Sequence, residues 1–144
     1  VSEDTVKIYF ACSITGGRQD EKIYKKLVQV LLEMGIEVPT AHIAETGIEE
    51  MDAKEDANRI YQRDVDWIKE SDLMIAEVST PSHGVGYEIG YALNQRKPVL
   101  CLHNGSVKVS KMITGNPDPL LDAASYKDFS EAKTILKRFI DDNG

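Results

Sequence analysis

The sequence predicts an α/β fold built on a parallel β-sheet. Short apolar segments rich in β-branched residues alternate with longer segments in which apolar residues recur at helical spacing. The apolar segments are nearly continuous, as in strands that are covered on both faces. This alternation is typical of βαβ units with right-handed crossovers. Without repeats, low-complexity tracts or linkers, residues 1–144 are expected to form one domain.

Four strands and four helices are expected. The strands are the apolar segments at residues 6–11, 36–40, 73–78 and 98–102. The helices are predicted at about residues 23–34, at about residues 54–70, around residues 89–93 and from residue 130 onward. Gly35 is expected to end the first helix, and residues 43–54 and 103–119 are expected to be loops. We therefore predict a flavodoxin-like, doubly wound sheet of four to five strands, which binds ligands beyond the carboxyl ends of its strands.

The charge balance excludes several classes of partner. Seventeen Lys and Arg residues stand against 24 Asp and Glu residues, for a net charge of −7, which argues against binding to a nucleic acid polymer or an anionic membrane surface. No apolar run approaches the ~20 residues of a membrane span, and the acidic start of the chain is unlike a secretory signal. The two cysteines, without a CxxC pattern, indicate neither a disulfide framework nor a zinc site. We expect a cytoplasmic protein.

A glycine-rich loop follows the first predicted strand. Its sequence, CSITGGR at residues 12–18, contains Ser13, the adjacent glycines Gly16 and Gly17, and Arg18 ahead of a helix. Backbone amides at a helix N-terminus together with a guanidinium can hold a phosphate. The loop matches neither the GxxxxGK[ST] nor the GxGxxG pattern. Anion binding and an ordinary tight turn therefore both stay open.

Asp64 is the first candidate catalytic carboxylate. It interrupts the apolar face that Ile60 and Trp67 form on a predicted helix. Burial on that face would raise the pKa of Asp64, as suits a proton donor near neutral pH. The alternative is an aspartate that caps the amides of a neighbouring loop.

Glu88 is the second candidate, expected in the first turn of the third helix within the segment GVGYEIG. The dipole and free amides of a first turn favour an ionised carboxylate, and Gly84 and Gly86 would let a ligand or another backbone approach closely. The alternative is a glutamate that only stabilises its helix. One protonated and one ionised carboxylate form the pattern of a retaining glycosidase, so the pair is a candidate for glycosidic chemistry.

Tyr9 and His42 are further candidates near strand ends. Tyr9 could place a phenol in the same crevice as the carboxylates, or it could be a core tyrosine. His42 could contact a ligand, although a single histidine is more often structural. Because His42, His83 and His103 lack the spacing of metal ligands, no metal is expected.

Five segments together carry a resemblance to a known family. In chain order they are IYFACSITGGRQD, HIAE, YQRDVDWIKESDLMIAEVSTPSHGVGYEIG, KPVLCL and VSKMI, from about Lys7 to Ile113. Their combination resembles the nucleoside 2-deoxyribosyltransferase superfamily, and more closely its branch of 2′-deoxynucleoside 5′-phosphate N-hydrolases. The resemblance implies a flavodoxin-like fold, a homodimer, and cleavage of the bond between base and deoxyribose without a cofactor.

The resemblance also implies a role for individual residues. By position, Glu88 resembles the family's nucleophile at C1′, Asp64 its general acid/base, and Tyr9 the phenol that orients the glutamate. The implied substrate-binding residues fall into three groups: Gly16, Gly17, Arg18 and Ser82 on the phosphate side, Ile14 and His42 on the base side, and Ser110 and Met112 contributed by the neighbouring subunit. The serine from that subunit would contact the phosphate.

Two positions favour the hydrolase branch over the transferases. Ser82 stands where the transferase branch usually has an aspartate, and Ser110 where it usually has an asparagine. A carboxylate would repel a phosphate dianion, whereas a hydroxyl donates to it. Thr15 and Cys12 depart from the pattern, because the hydrolases usually have arginine and often glycine there. Tyr9 favours deoxyribose, because the branch that hydrolyses ribonucleotides such as CMP typically has phenylalanine at this position.

The expected activity is release of free base and 2-deoxyribose 5-phosphate from 2′-deoxynucleoside 5′-monophosphates, through a covalent glycosyl-Glu88 intermediate. Two alternatives stay open. One is a transferase that passes deoxyribose to a second base, and the other is a non-catalytic nucleotide-binding module. The fold alone does not separate them.

Overall fold

The computed structural model describes residues 5–13, 20–44 and 54–144, which contain a sheet of four parallel strands in the order β1-β2-β3-β4. The strands are β1 (Ile8–Ala11), β2 (Leu73–Glu77), β3 (Val99–Asn104) and β4 (Leu121–Tyr126). The helices are α1 (Glu21–Glu33), α2 (Ala57–Glu70), α3 (His83–Asn94), α4 (Lys111–Thr114) and α5 (Phe129–Asn143), with a 3-10 helix at Ala41–Ala44. The α/β fold with a parallel sheet that the sequence predicts is confirmed.

Two apolar clusters cover the two faces of the sheet. Ile8 and Phe10 of β1 pack in the cluster that contains α1 and α5, whereas Tyr9 and Ala11 pack in the cluster that contains α2 and α3. Every residue of β1 and β2 is buried, which explains their nearly continuous apolar sequences. Tyr9 therefore lies on the same side of the sheet as the two helices that carry the candidate carboxylates.

The predicted strand at residues 36–40 is wrong in extent. Only Glu37 pairs with the sheet, through an isolated parallel bridge to the residue before β1. Pro39 has no amide to donate to a ladder, and the Thr40 side chain takes the place of strand pairing. Its Oγ1 accepts from the Phe10 amide at 3.0 Å and donates to the Phe10 carbonyl at 2.7 Å.

The strand β4 was missed, because no apolar run marks it. In its sequence, LDAASY, only Tyr126 is buried, since β4 lies at the edge of the sheet and pairs with β3 alone. The predicted loop at residues 103–119 also contains the short helix α4. Of the other predicted loop, residues 45–53 lie outside the described part of the chain.

The C-terminus of α1 agrees with the prediction, whereas the N-terminus of α3 differs from it. Gly35 follows α1 with a positive φ of 79°, so its role in ending that helix is confirmed. In contrast, α3 begins at His83, with Ser82 as its N-cap, which places Glu88 in the second turn rather than the first. No helix among the described residues is long and apolar enough to cross a membrane.

Candidate active site

The site lies where the strand order switches direction. Glu37 lies on one side of β1 and β2 on the other, so the chain leaves β1 in one direction and returns on the opposite side. In open parallel sheets, ligands bind beyond the carboxyl ends of the strands at such a point. The helices α2 and α3 pack together beside it, and they bring Asp64 and Glu88 towards Tyr9.

The central contact of the site is a hydrogen bond from the Tyr9 hydroxyl to Glu88 Oε2. Tyr9 is fully buried, at 0% exposure. Burial, followed by the charges of Glu88 and Asp64, raises the pKa of Tyr9 above its usual value, so the phenol keeps its proton and stays a donor. In the described part of the chain no donor reaches the other oxygen, Glu88 Oε1, which leaves that atom available to a ligand.

Burial also controls the ionisation of Glu88. It raises the pKa of Glu88 to about 7, and the nearby charge of Asp64 adds to the increase. The hydrogen bond from Tyr9 and the charge of Arg63 act in the opposite direction. The expectation that the helix N-terminus keeps Glu88 ionised is therefore wrong, because the side chain lies in the second turn of α3 and burial outweighs the helix dipole.

Asp64 lies on α2, bonded to a cation that the sequence analysis missed. Arg63 Nε donates to Asp64 Oδ1 at 2.9 Å, and the two side chains are only 26% and 16% exposed. The Arg63 guanidinium also lies over the Trp67 ring, 4.9 Å from its centroid, and His42 contacts the same ring edge-on at 5.6 Å. The arginine directly before Asp64, four residues before a tryptophan, was the available sequence signal.

Both carboxylates line one cavity of about 540 Å³, called here the carboxylate cavity. Its walls are otherwise mostly apolar or aromatic and include Ile60, Tyr61 and Tyr87. Gly84 also lines this cavity. The structure therefore brings together the two acids that the sequence analysis singled out, in surroundings where charge interactions are strong.

A second cavity of about 480 Å³ adjoins the N-terminus of α3 and is called the hydroxyl cavity. Ser82 and Ser110 both line it within a single chain, together with Gly86 and the strongly exposed Met112. The Ser82 hydroxyl accepts from the Val85 amide at 3.3 Å, as an N-cap does. No acceptor for the Ser82 hydroxyl proton is found in the described part of the chain, so the hydroxyl can donate to a ligand.

The remaining predicted residues are less informative. Ser13 is buried, whereas Ile14, Thr15, Gly16, Gly17 and Arg18 lie outside the described residues. No group of three or more potential metal ligands was found among the residues that the structure describes.

A buried carboxylate that the sequence does not predict as functional lies at the same edge of the sheet. Glu77, at 0% exposure, accepts hydrogen bonds at 2.8 Å from the amide and from the hydroxyl of Ser79, and one from the Tyr126 hydroxyl. The Ser79 hydroxyl in turn accepts from the Asn104 amide at 2.8 Å. These bonds join the carboxyl ends of β2, β3 and β4 just before the segment that carries Ser82.

Comparison with known proteins decides the family. Residues 8–133, most of the chain, match the sequence model of a family described as nucleoside 2-deoxyribosyltransferase. The chain belongs to this family.

Relatives within the nucleoside 2-deoxyribosyltransferase family are named for hydrolysis. A protein of Methanosarcina barkeri named "Putative 2'-deoxynucleoside 5'-phosphate N-hydrolase 1" is 46% identical over 93% of this chain and 84% of its own. A 5-hydroxymethyl-dUMP N-hydrolase of Esox lucius is 43% identical over 92% of this chain and 94% of its own.

A solved structure shares the fold. The structure of the CMP N-glycosidase of Clostridium botulinum superimposes with a TM-score of 0.71 and covers 92% of this chain and 98% of its own. Its sequence identity is 24%, so the similarity shows the fold alone.

Proposed function

We propose that this protein hydrolyses the N-glycosidic bond of 2′-deoxynucleoside 5′-monophosphates, giving free base and 2-deoxyribose 5-phosphate. The observation that carries the proposal is the hydrogen bond from Tyr9 to Glu88 on a cavity wall that also holds Asp64. A partly buried carboxylate with one oxygen held and the other open suits attack on a sugar carbon. The names of the hydrolase relatives support the choice of reaction.

The first step forms a glycosyl-enzyme. Glu88 Oε1 attacks C1′ while the bond from C1′ to the base nitrogen breaks, through an oxocarbenium-like transition state. The electron pair of that bond leaves with the base, which takes a proton from Asp64. Tyr9 keeps its hydrogen bond to Oε2 and so fixes the plane of the attacking carboxylate.

The second step releases the sugar. Asp64, now ionised, removes a proton from water, and the resulting hydroxide attacks C1′. The bond between C1′ and the Glu88 oxygen breaks, which restores the carboxylate and frees 2-deoxyribose 5-phosphate. Neither step requires a cofactor.

Ser82 supplies the recognition of phosphate on the side of α3. It lies at the N-terminus of that helix and can donate its hydroxyl proton to a phosphate oxygen. As the resemblance implies, the same phosphate is also bound by Gly16, Gly17 and Arg18 of the loop after β1. The base is contacted by Ile14 and His42.

We further infer a homodimer in which Ser110 and Met112 of each chain complete the site of the other. Met112 is 83% exposed, and the aromatic residues Tyr61 and Tyr87 are 49% and 53% exposed. Apolar and aromatic side chains exposed to this extent favour an interface. The Ser110 hydroxyl caps α4, so it is held at the surface beside Met112.

Base release tests the proposed reaction. Deoxynucleoside monophosphates, CMP and free deoxynucleosides are incubated with the protein, and the free base is followed by chromatography. We expect base from the deoxynucleoside monophosphates, and a loss of kcat greater than about 10³-fold in Glu88→Ala and in Asp64→Ala. Asp66→Ala is the matched control, because Asp66 is exposed on α2 and, among the described residues, its side chain accepts a hydrogen bond only from Gln62.

Each other result excludes the proposal. Base exchange on free deoxynucleosides alone would identify a transferase. Nucleotide binding without base release would identify a binding module. A Glu88→Ala variant with near wild-type turnover would exclude Glu88 as nucleophile.

A further inference from the structure

Arg63 is held in place beside the two carboxylates of the site. Its Nε donates to Asp64 Oδ1 at 2.9 Å, and its guanidinium lies 4.9 Å from the centroid of the Trp67 ring. Side chains of adjacent helical residues do not face each other, but an arginine bent over a ring one turn along the helix can reach the neighbouring carboxylate. The Arg63 and Asp64 side chains are only 26% and 16% exposed, so solvent screens this ion pair less than it screens a surface pair.

The charge of Arg63 acts beyond Asp64. Burial is the largest effect on the pKa values of Tyr9 and Glu88 and raises both, and the charge of Asp64 adds to the increase. Among the described residues, Arg63 is the one cation that acts on both groups in the opposite direction. Arg63 does not line the carboxylate cavity. It therefore influences a bound substrate through the neighbouring carboxylates rather than by contact.

The proposed reaction keeps one negative charge on the pair of carboxylates throughout. Before the attack, Glu88 is ionised and Asp64 carries the proton. After the attack, Glu88 is bonded to the sugar and neutral, and Asp64 is ionised because its proton has left with the base. The water step restores the first arrangement. A cation that is bonded to one carboxylate and acts on the other can balance this charge at both stages.

We propose that Arg63 is a positioning residue that balances the charge of the carboxylate pair, so that Glu88 is ionised for attack while Asp64 can release its proton. This inference rests on the proposed function and adds to it a residue to which the resemblance assigns no role. The other titratable groups around the pair come from β1, α2, α3 and the 3-10 helix behind Trp67, and they are Tyr9, Tyr61, His83, Tyr87 and His42. Arg63 differs from all of them because it is positively charged at every working pH.

The pH profile of Arg63→Met tests the proposal. Methionine is an unbranched apolar side chain without charge, so the pKa of Glu88 should rise and the acid limb of kcat/KM should move to higher pH. We expect kcat/KM to fall about threefold or more at about pH 6, with a smaller loss at about pH 8. Arg63→Lys keeps the charge, and its acid limb should stay near the wild-type position. Arg59→Met is the matched control, because Arg59 is an exposed arginine one turn earlier on α2.

Three results would overturn the proposal. The first is an acid limb that stays in place in Arg63→Met, or a loss of equal size at every pH, which would indicate a structural role alone. The second is a limb that moves as far in Arg63→Lys as in Arg63→Met, which would exclude the charge as the cause. The third is an equal shift in Arg59→Met, which would reflect the general charge of the helix surface.

Direct titration of Glu88 separates this inference from the proposed function. NMR of isotopically labelled side-chain carboxyl carbons needs no turnover, and the Glu88 signal is assigned by its loss in Glu88→Gln. We expect the titration midpoint of Glu88 at higher pH in Arg63→Met than in the wild type, and at the wild-type value in Arg59→Met. An unchanged midpoint in Arg63→Met would overturn the inference even if the protein releases base. If the wild type released no base, the proposed function would fail, and the titration would still decide whether Arg63 acts on Glu88.

Discussion

Two opposing effects act on the ionisation of the Glu88 carboxyl group. A nucleophile must be ionised, yet burial raises the pKa of Glu88 to about 7. Tyr9 partly offsets the burial by donating a hydrogen bond to the carboxylate. Because burial and the nearby carboxylates raise the pKa of Tyr9 itself, the phenol remains protonated and the bond persists at any working pH. The two residues together place the ionisation of the nucleophile in the neutral range.

This pairing predicts the pH dependence of catalysis. We expect kcat/KM to rise with pH along an acid limb with an apparent pKa near 7, because protonation of Glu88 below that pH removes the nucleophile. Tyr9→Phe removes an interaction that lowers the pKa of Glu88, so its acid limb should move to higher pH. Profiles of rate against pH for the two proteins measure this shift. Tyr24→Phe, which changes a buried tyrosine in the cluster on the opposite face of the sheet, is the control. An acid limb that stays in place in Tyr9→Phe would contradict the role given to Tyr9.

The start of α3 determines where Glu88 lies. The segment after Ser82 contains Gly84 and Gly86, which are poor helix formers. The N-cap at Ser82 and the burial of Val85 and Ile89 against the sheet offset that weakness. One cap residue thus fixes the first turn of the helix and also faces the proposed phosphate.

Substitutions can separate the two roles of Ser82, which are to cap the N-terminus of α3 and to bind the proposed phosphate. Ser82→Asp keeps a good N-cap but places a carboxylate against the phosphate. We expect kcat/KM for monophosphates to fall by about tenfold or more, because the two negative charges repel each other. The melting temperature should stay close to that of the wild type. Ser82→Asn, an uncharged cap, is the matched control and should lose less activity. Equal losses in the two variants would exclude charge repulsion as the cause.

The parts of the fold predicted from sequence are those with a strong local signal. β1, β2 and β3 are readable because burial on both faces demands continuous apolar residues. β4 is an edge strand with one buried side chain, so its sequence contains no such run. The segment at Glu37 has the apolar pattern of a strand, but hydrogen bonds with the Thr40 side chain take the place of backbone pairing there. A local sequence pattern cannot show this difference.

The candidate active site, like the fold, was predicted in part from the sequence. Asp64 stood out because a carboxylate interrupted an apolar helical face, and the structure places it in one cavity with Glu88. The ionisation of Glu88 was mispredicted because it depends on burial by distant residues and on the first residue of α3. Glu77 went unnoticed because its burial depends on the packing of the sheet and one of its partners, Tyr126, lies on the distant strand β4. Contacts between distant segments leave no periodic trace in a single sequence.

At the scale of the whole molecule, the proposed homodimer would complete each active site with residues from both chains. A single chain exposes Met112, Tyr61 and Tyr87 to solvent, although apolar and aromatic groups of this size favour burial. A symmetric dimer would cover such groups on both chains at once, because the same patch contributes twice. The same contact would carry Ser110 to the neighbouring site.

Mixing two inactive variants tests this shared site. Ser110→Asp keeps the N-cap of α4 but repels phosphate, and Glu88→Ala removes the nucleophile. Random pairing of the two chains gives about half heterodimers, each with one intact site, so about a quarter of the wild-type activity should return. Glu88→Ala mixed with Asp64→Ala is the control and should stay inactive, because both carboxylates belong to the same chain. No recovery in the first mixture would mean that Ser110 serves its own chain.

The isolated bridge at Glu37 has a consequence for how the molecule opens. Two backbone hydrogen bonds, from the Ile8 amide to the Glu37 carbonyl at 2.9 Å and from the Glu37 amide to the Val6 carbonyl at 3.0 Å, hold this edge. Breaking them leaves β2 and β3 intact, so local opening there costs far less free energy than global unfolding. Amide deuterium exchange should therefore begin at Glu37 long before it reaches the centre of the sheet.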